Sequence, residues 1–416
     1  MLQRYETMVL CAIALLSLLL TAPATMAASK DYRKTPIMLQ ASRVLPAEVV
    51  TGSNYTVKAT VVSDGFVNTY DLDTSYGPLR VESTALLYKR VGELKALSRM
   101  EQLKGTDVYL NAAKQVAAGP IQTAKGLVRD PGGTVSGVAS GIGRAFGRVS
   151  SAVTSDSPHK GNVAESALGQ ASYKRAYAYE FGVDPYSTYQ PLQKALNDLA
   201  WTAAIGGLTV KAAFMAIPGG AGLVVGMTSS AQSLTALVRD KTPAELAQIN
   251  QNSLRSMGVP DPLVQSFIMN PVYDPHEQTL LVGALANMPG VKDRSMFIAK
   301  AAEADEESVA VFQRTRAQLI EQYNTKTNSL QRFVDVDGIP VLQTKNGRII
   351  ALFPLDYVAL TAGFAQKEEA ISKTIKQTPG VTGKELLITG QVDPAARKAL
   401  EAKGWKVEER IREKLL

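Results

Sequence analysis

The chain is poor in the residues that carry most side-chain chemistry. Its 416 residues include one cysteine and two histidines. The cysteine, Cys11, lies in an apolar N-terminal run that reads as removable, which leaves a mature chain with no thiol. Disulfides, thiolate nucleophiles and cysteine metal sites are then excluded. With only His159 and His276, histidine-based metal binding and acid–base chemistry have little to build on. The sequence gives no reason to expect a cofactor. A Walker-type phosphate loop is missing; Gly141-Ile-Gly143 has no strong strand before it and no later glycine in place. The serine-hydrolase pattern Gly-x-Ser-x-Gly is also missing. Asp64, Asp71 and Asp73 lack the spacing of a calcium loop and read as solvated turn carboxylates.

Excess charge is modest too. Forty-five basic residues face 38 acidic ones, a net +7, without the dense basic face of a nucleic-acid binder. Tyr173, Tyr177, Tyr179, Phe181, Tyr186 and Tyr189 lie near Lys174 and Arg175, a mixture that can stack single strands. Helix packing is the simpler reading, and no nucleic-acid partner is expected.

What the chain does have is apolar content, 45%, enough for a substantial core. Arg4 precedes the apolar run Met8 to Leu20, and small residues follow at Ala22-Pro-Ala24 and Thr25-Met-Ala27. That is the pattern of a secretory signal peptide over 1–27, too short for a membrane span. The expected location is periplasmic in a Gram-negative cell and secreted otherwise.

The longest later apolar run is Leu199 to Met227, whose only charge is Lys211. Lysine at a bilayer centre costs roughly 3 kcal/mol. Pro218-Gly-Gly220 should break the run into helices over 199–217 and 221–238. A buried core hairpin is expected, organising the bundle around it, with membrane insertion as its competitor.

The remaining segments fall in order. Residues 30–105 read as an antiparallel β meander plus a long helix. Tyr55, Val57, Ala59 and Val61 share one strand face, and Leu86, Leu87, Val91, Leu94, Leu97, Met100 and Leu103 form a helical stripe ending at Gly105. Residues 106–162 form a glycine-rich arm and linker. There Val135, Val138, Ile142 and Phe146, flanked by Arg144 and Arg148, make an amphipathic stripe that could meet a membrane or partner. Four glycines within it each cost about 1 kcal/mol of helix stability.

Residues 163–330 read as a central helical domain. Thr242-Pro-Ala-Glu245 is a capping-box helix start, and Asp274-Pro-His-Glu277 repeats it. Asp274, His276 and Glu277 are also the one weak candidate site, although capping accounts for them. A single helix is expected over 293–325, with 303–307 a solvated acidic patch. Residues 331–416 read as a small α/β domain, with Lys345-Asn-Gly347 a hairpin turn and a basic, solvated end.

The expected fold is therefore mainly helical α+β: an N-terminal antiparallel meander, a central bundle around a buried apolar hairpin, and a small C-terminal α/β unit. No catalytic constellation is evident. The function expected is an exported, envelope-associated binding or scaffold protein, its partner or ligand unidentified. The alternatives are a membrane-active protein using 134–153 and 199–238, and an enzyme with a carboxylate or serine site.

Overall fold

The computed structural model describes residues 32–118, 161–217 and 228–415. The expected leader, the stripe from Val135 to Arg148 and the Pro218-Gly-Gly220 break lie outside them. The protein is mainly helical α+β, with an antiparallel sheet at one end of the chain and a mixed sheet at the other.

The N-terminal sheet contains β1 (Ile37–Gln40), β2 (Thr51–Gly52), β3 (Tyr55–Val57), β4 (Thr60–Ser63), β5 (Asn68–Thr74) and β6 (Gly77–Glu82). Two short helices, α1 (Ala41–Val44) and α2 (Ala47–Val50), join β1 to β2. The single strand expected from Tyr55 to Val62 is two pieces. Both pair with β5, and Lys58 N–H bonds Asp71 O at 2.8 Å between them. The irregularity lets β4 also pair with β1 and β3 with β2. Tyr55, Val57 and Val61 are buried as the alternation requires, whereas Ala59, at the break, is exposed.

Ser83 caps α3 (Thr84–Lys104), accepting the Leu86 N–H. The whole expected stripe from Leu86 to Leu103 is buried. So are Arg90 and Glu93, which fall within the same face. Gly105 ends the helix, and α4 (Asp107–Ala118) follows.

The central helices are α5 (Gly161–Phe181), α6 (Gln190–Gly206), α7 (Val210–Ala216), α8 (Ser229–Asp240), α9 (Pro243–Ser256), α10 (Asp261–Ile268), α11 (Pro275–Ala286), α12 (Ser295–Ala301) and α13 (Glu307–Thr327). Two expectations need correction here. The apolar run bends earlier than Pro218. Gly207, in the left-handed region at φ 69°, ends α6, and Thr209 caps α7. A residue with a Cβ is strained in that conformation, so glycine sets the break. Leu199, Ala200, Ala203, Leu208, Ala213, Phe214 and Ile217 are buried, and Lys211 is exposed on α7. Among the described residues no single helix is long and apolar enough to cross a membrane; α6 and α7 pass by length and composition only as a pair bent by 117°.

The helix expected over 293–325 is also broken, at 302–306, and its second half is the true spine. α13 packs on α11, on α3 and on the C-terminal sheet. Its middle is buried on several sides, including Gln313, Thr315 and Arg316. Arg316 donates to the backbone oxygens of Leu352 (2.9 Å) and Pro340, and stacks over Phe353 at 4.1 Å. Burial without a carboxylate pulls its pKa down to about 9.

The C-terminal sheet runs β13 (Trp405–Glu408), β11 (Gly383–Ile388), β9 (Arg348–Phe353), β8 (Ile339–Thr344), β7 (Leu330–Val336). The first three are parallel and the last two antiparallel. Helices α14 (Ala362–Gln377) and α15 (Pro394–Ala402) carry the two crossovers and share one apolar cluster on one sheet face. α12 and α13 cover the other face. A two-stranded pair, β10 (Tyr357–Val358) with β12 (Gln391–Val392), and α16 (Ile411–Leu415) complete the unit. The expected βαβ unit is thus one half of a three-layer arrangement.

Candidate functional site

The most polar point of the interior lies where α3 meets the central helices. Lys89 projects from α3 among four carboxylates. Its Nζ is 3.1 Å from Asp184 Oδ2, 2.9 Å from Glu277 Oε1, 3.4 Å from Glu307 Oε1 and 3.7 Å from Asp274 Oδ2. Arg90, one residue on, donates to Glu93 (2.8 Å), Glu307 (2.5 Å) and Thr188 (2.8 Å). Ser187 donates to the other oxygen of Glu93 at 2.5 Å. Arg314, from α13, closes the far side on Glu277 Oε2 at 2.7 Å. The side chains of Asp184 and Glu277 are each only 2% exposed.

Local structure explains how these groups converge. Arg90 lies on the buried face of α3, one turn from both Leu86 and Leu94, and Lys89 lies at the edge of that face. Asp184 lies in the turn between α5 and α6, where its Oδ1 accepts the Tyr186 N–H at 2.8 Å, leaving Oδ2 free to face inward. Asp274 caps α11 through Oδ1, accepting the Glu277 N–H at 2.8 Å. Its second oxygen faces Lys89. Helix capping therefore accounts for only half of Asp274, and the reciprocal half of the expected capping box does not form. Glu277 turns into the protein. Glu307, expected in a solvated patch, closes the cluster from the start of α13.

Three cations face five carboxylates in this cluster, so charge and burial pull in opposite directions. Burial alone would lower the Lys89 ammonium, but Glu277, Asp184, Asp274 and Glu307 outweigh it and hold it well above the lysine range. Burial would raise Glu277, yet Arg314 and Lys89 hold it at about 2. Asp184 and Asp274 interact directly and split. Lys89, then His276, overcome burial and push Asp184 well down; burial and the Asp184 charge push Asp274 well up. Asp274 is the member that takes up a proton first as the pH falls.

His276 stands beside the pair, its Nδ1 3.7 Å from Asp184 Oδ2 and without a hydrogen-bond partner. Donor atoms of Asp184, Asp274 and His276 lie within 4.8 Å of one another, close enough to surround a cation. The Lys89 ammonium, within 3.7 Å of both aspartates, already supplies the positive charge there. A divalent ion bound to the same oxygens at about 2.1 Å would meet strong repulsion from it.

Two other places were candidates for chemistry by their construction. Open parallel sheets bind ligands beyond the carboxyl ends of their strands. Here the loops after β9 and β11 are taken up by the N-terminal region. Asp356 N–H bonds Phe66 O at 2.9 Å, Ala359 N–H bonds Gly65 O at 3.1 Å and Arg33 pairs with Asp393 at 2.5 Å. Asp393 caps α15, and Glu409 accepts the Val392 N–H, so the protein's own carboxylates hold the anion positions. Gly390 fits only because it lacks a Cβ, which would lie 1.8 Å from Asp356 O.

The second place is Ser372, which accepts from Lys384 Nζ at 2.6 Å and donates to Glu368. Ser372 lies in the middle of α14 and is 8% exposed. Backbone N–H groups within a helix are already bonded, so they offer no oxyanion donors beside it. Glu368 also accepts from Trp405 and Lys403, which ties α14 to β13.

The fold and the cluster define a mainly helical α+β protein with a buried ionic centre between α3 and the central helices. No protein-family model, no curated protein and no solved structure matches the chain significantly.

Proposed function

We propose that the chain is an exported, envelope-associated binding or scaffold protein. The observation that supports this best is the Lys89 centre. Its ammonium already meets four carboxylates, so the groups most able to do acid–base work hold three parts of the chain together instead. Export rests on the Met8 to Leu20 run and the small residues after it. The test is expression of the full chain with a C-terminal tag, cell fractionation, and mass spectrometry of the N-terminal peptide. A chain beginning after Ala24 or Ala27 outside the cytoplasm is expected. An intact Met1 chain in the cytoplasm overturns the proposal.

A second reading, action on membranes, draws on one observation. Ile205 on α6 and Met215 on α7 are 43% and 79% exposed, and Val108 and Leu110 on the adjacent α4 are 40% and 44% exposed. Exposed apolar side chains on packed neighbours suit a lipid or protein contact. Flotation with anionic liposomes at low salt distinguishes the two readings. Co-flotation that is lost in Met215→Glu favours lipid; a chain left at the bottom of the gradient removes it.

A further inference from the structure

A second buried carboxylate, Asp356, is built quite unlike those around Lys89. It lies between β9 and β10, at the joint between the N-terminal sheet and the C-terminal α/β unit, and is 4% exposed. Its Oδ2 accepts two backbone N–H groups of the N-terminal region, Asn68 and Thr84, both at 2.9 Å. Its own N–H bonds Phe66 O. Among the described residues no cation pairs with it, and its Oδ1 has no hydrogen-bond donor. Asn68, one of the two residues it holds, carries a buried side-chain oxygen that likewise has no donor. Each of these two hydrogen-bonded residues thus keeps an acceptor oxygen with no donor among the described residues.

The charged and titratable groups around it are few. Asp64 comes from the β4–β5 turn, Tyr70 from β5 and Tyr88 from α3. On the C-terminal side, the next residue, Tyr357, belongs to the Arg33–Tyr357–Asp393 group, whose charges pair among themselves. None supplies a positive charge to Asp356. Asp64 adds a negative one.

We propose that Asp356 is a proton-operated latch: protonated, it closes the joint between the N-terminal sheet and the C-terminal unit, and ionised, it loosens that joint. Protonation at Oδ1 costs no existing bond, because both N–H groups stay on Oδ2. Ionisation leaves a buried negative charge with two N–H partners and no cation. Burial is the larger influence. It raises the carboxyl to about 6, against the lowering effect of the two N–H groups and the Thr84 hydroxyl. The raised value fixes the sign. The latch contributes fully below the unfolded value of 3.8 and loses its contribution as the pH rises through about 6. The latch does not depend on where the protein acts, so it can fail without the proposed function failing.

The experiment is hydrogen exchange with mass spectrometry on the full chain from pH 4.5 to 8, corrected for intrinsic exchange rates. Peptides covering 62–86 and 354–361 should gain protection as the pH falls through about 6. Peptides of α9 should not follow that step. Asp356→Asn keeps an oxygen for the two N–H groups and removes the charge. It should be as protected at pH 7.5 as the wild type is at pH 5. Asp64→Asn, at an exposed turn, should move the midpoint down by a fraction of a pH unit. A flat profile in the wild type overturns the latch, as does an unchanged step in Asp356→Asn. If Asp356→Asn does not fold, the decision falls to the wild-type step and its shift in Asp64→Asn; without that shift the latch is overturned.

Discussion

Two helices of the central bundle begin with the same four-residue grammar and use it differently. Before α9, Thr242 accepts the Glu245 N–H and Glu245 reaches back to the Thr242 N–H at 2.8 Å, a complete capping box in solvent. Before α11, Asp274 caps in the same way, but Glu277 leaves the box for Lys89 and Arg314. Both glutamates are held down to about 2, and the two values mean different things. Hydrogen bonds to Thr242 do it for Glu245, where solvent screens the effect. Arg314 and Lys89 do it for Glu277 against the pull of burial. The lesson is that a capping signal fixes where a helix starts, while the third residue of the signal goes wherever charge and burial demand.

The largest difference between the two starts should appear on truncation. Glu277→Ala leaves Lys89 and Arg314 without a shared partner, at a cost of about 3–5 kcal/mol in urea unfolding. Glu245→Ala, fully exposed, should move the midpoint only slightly, and its effect should fade in high salt. A large loss for both would erase the distinction.

Acid should separate them next. Glu277 is depressed from 4.5 to about 2, so its contribution is present above pH 4.5 and is lost as the pH falls through about 2. A shift of that size corresponds to about 3 kcal/mol. Acid unfolding followed by circular dichroism should be less steep in Glu277→Gln than in the wild type, and unaltered in Glu245→Gln. The smallest effects belong to the caps themselves. Thr242→Ala should cost about 1 kcal/mol. Asp274→Asn retains a capping oxygen and removes the repulsion with Asp184, so it should be neutral or stabilising; a loss as large as that of Glu277→Ala would place Asp274's charge at the centre of the cluster.

Much of the fold was legible because it is written locally. The α3 stripe, the two helix starts, the Lys345-Asn-Gly347 turn and the strand–helix–strand order all follow from periodicity and turn chemistry. The spine was legible as a helix, but neither its break at 302–306 nor its central place in the packing was. α13 is buried on several faces, so polar residues such as Gln313, Thr315 and Arg316 lie inside and blur the apolar pattern. The bend at Gly207 was masked by the stronger Pro218-Gly-Gly220 signal downstream.

Of the cluster, Asp274, His276 and Glu277 stood out in sequence, whereas Lys89, Arg90, Asp184, Glu307 and Arg314 did not. The bonds that bring them to the cluster join residues 37 to 217 positions apart, for which periodicity carries no information. One signal was available. Lys89 and Arg90 lie four and three residues before Glu93 beside the apolar stripe of α3, and charges at that density on a buried helix face call for partners.

The most direct test is a double-mutant cycle on Lys89→Met and Glu277→Gln, measured by urea unfolding at low and high salt. A buried joint between α3 and the central bundle predicts an interaction energy above about 1 kcal/mol that salt scarcely changes. Additive losses, with no coupling at either salt, would mean that Lys89 and Glu277 do not meet and would contradict the ionic centre.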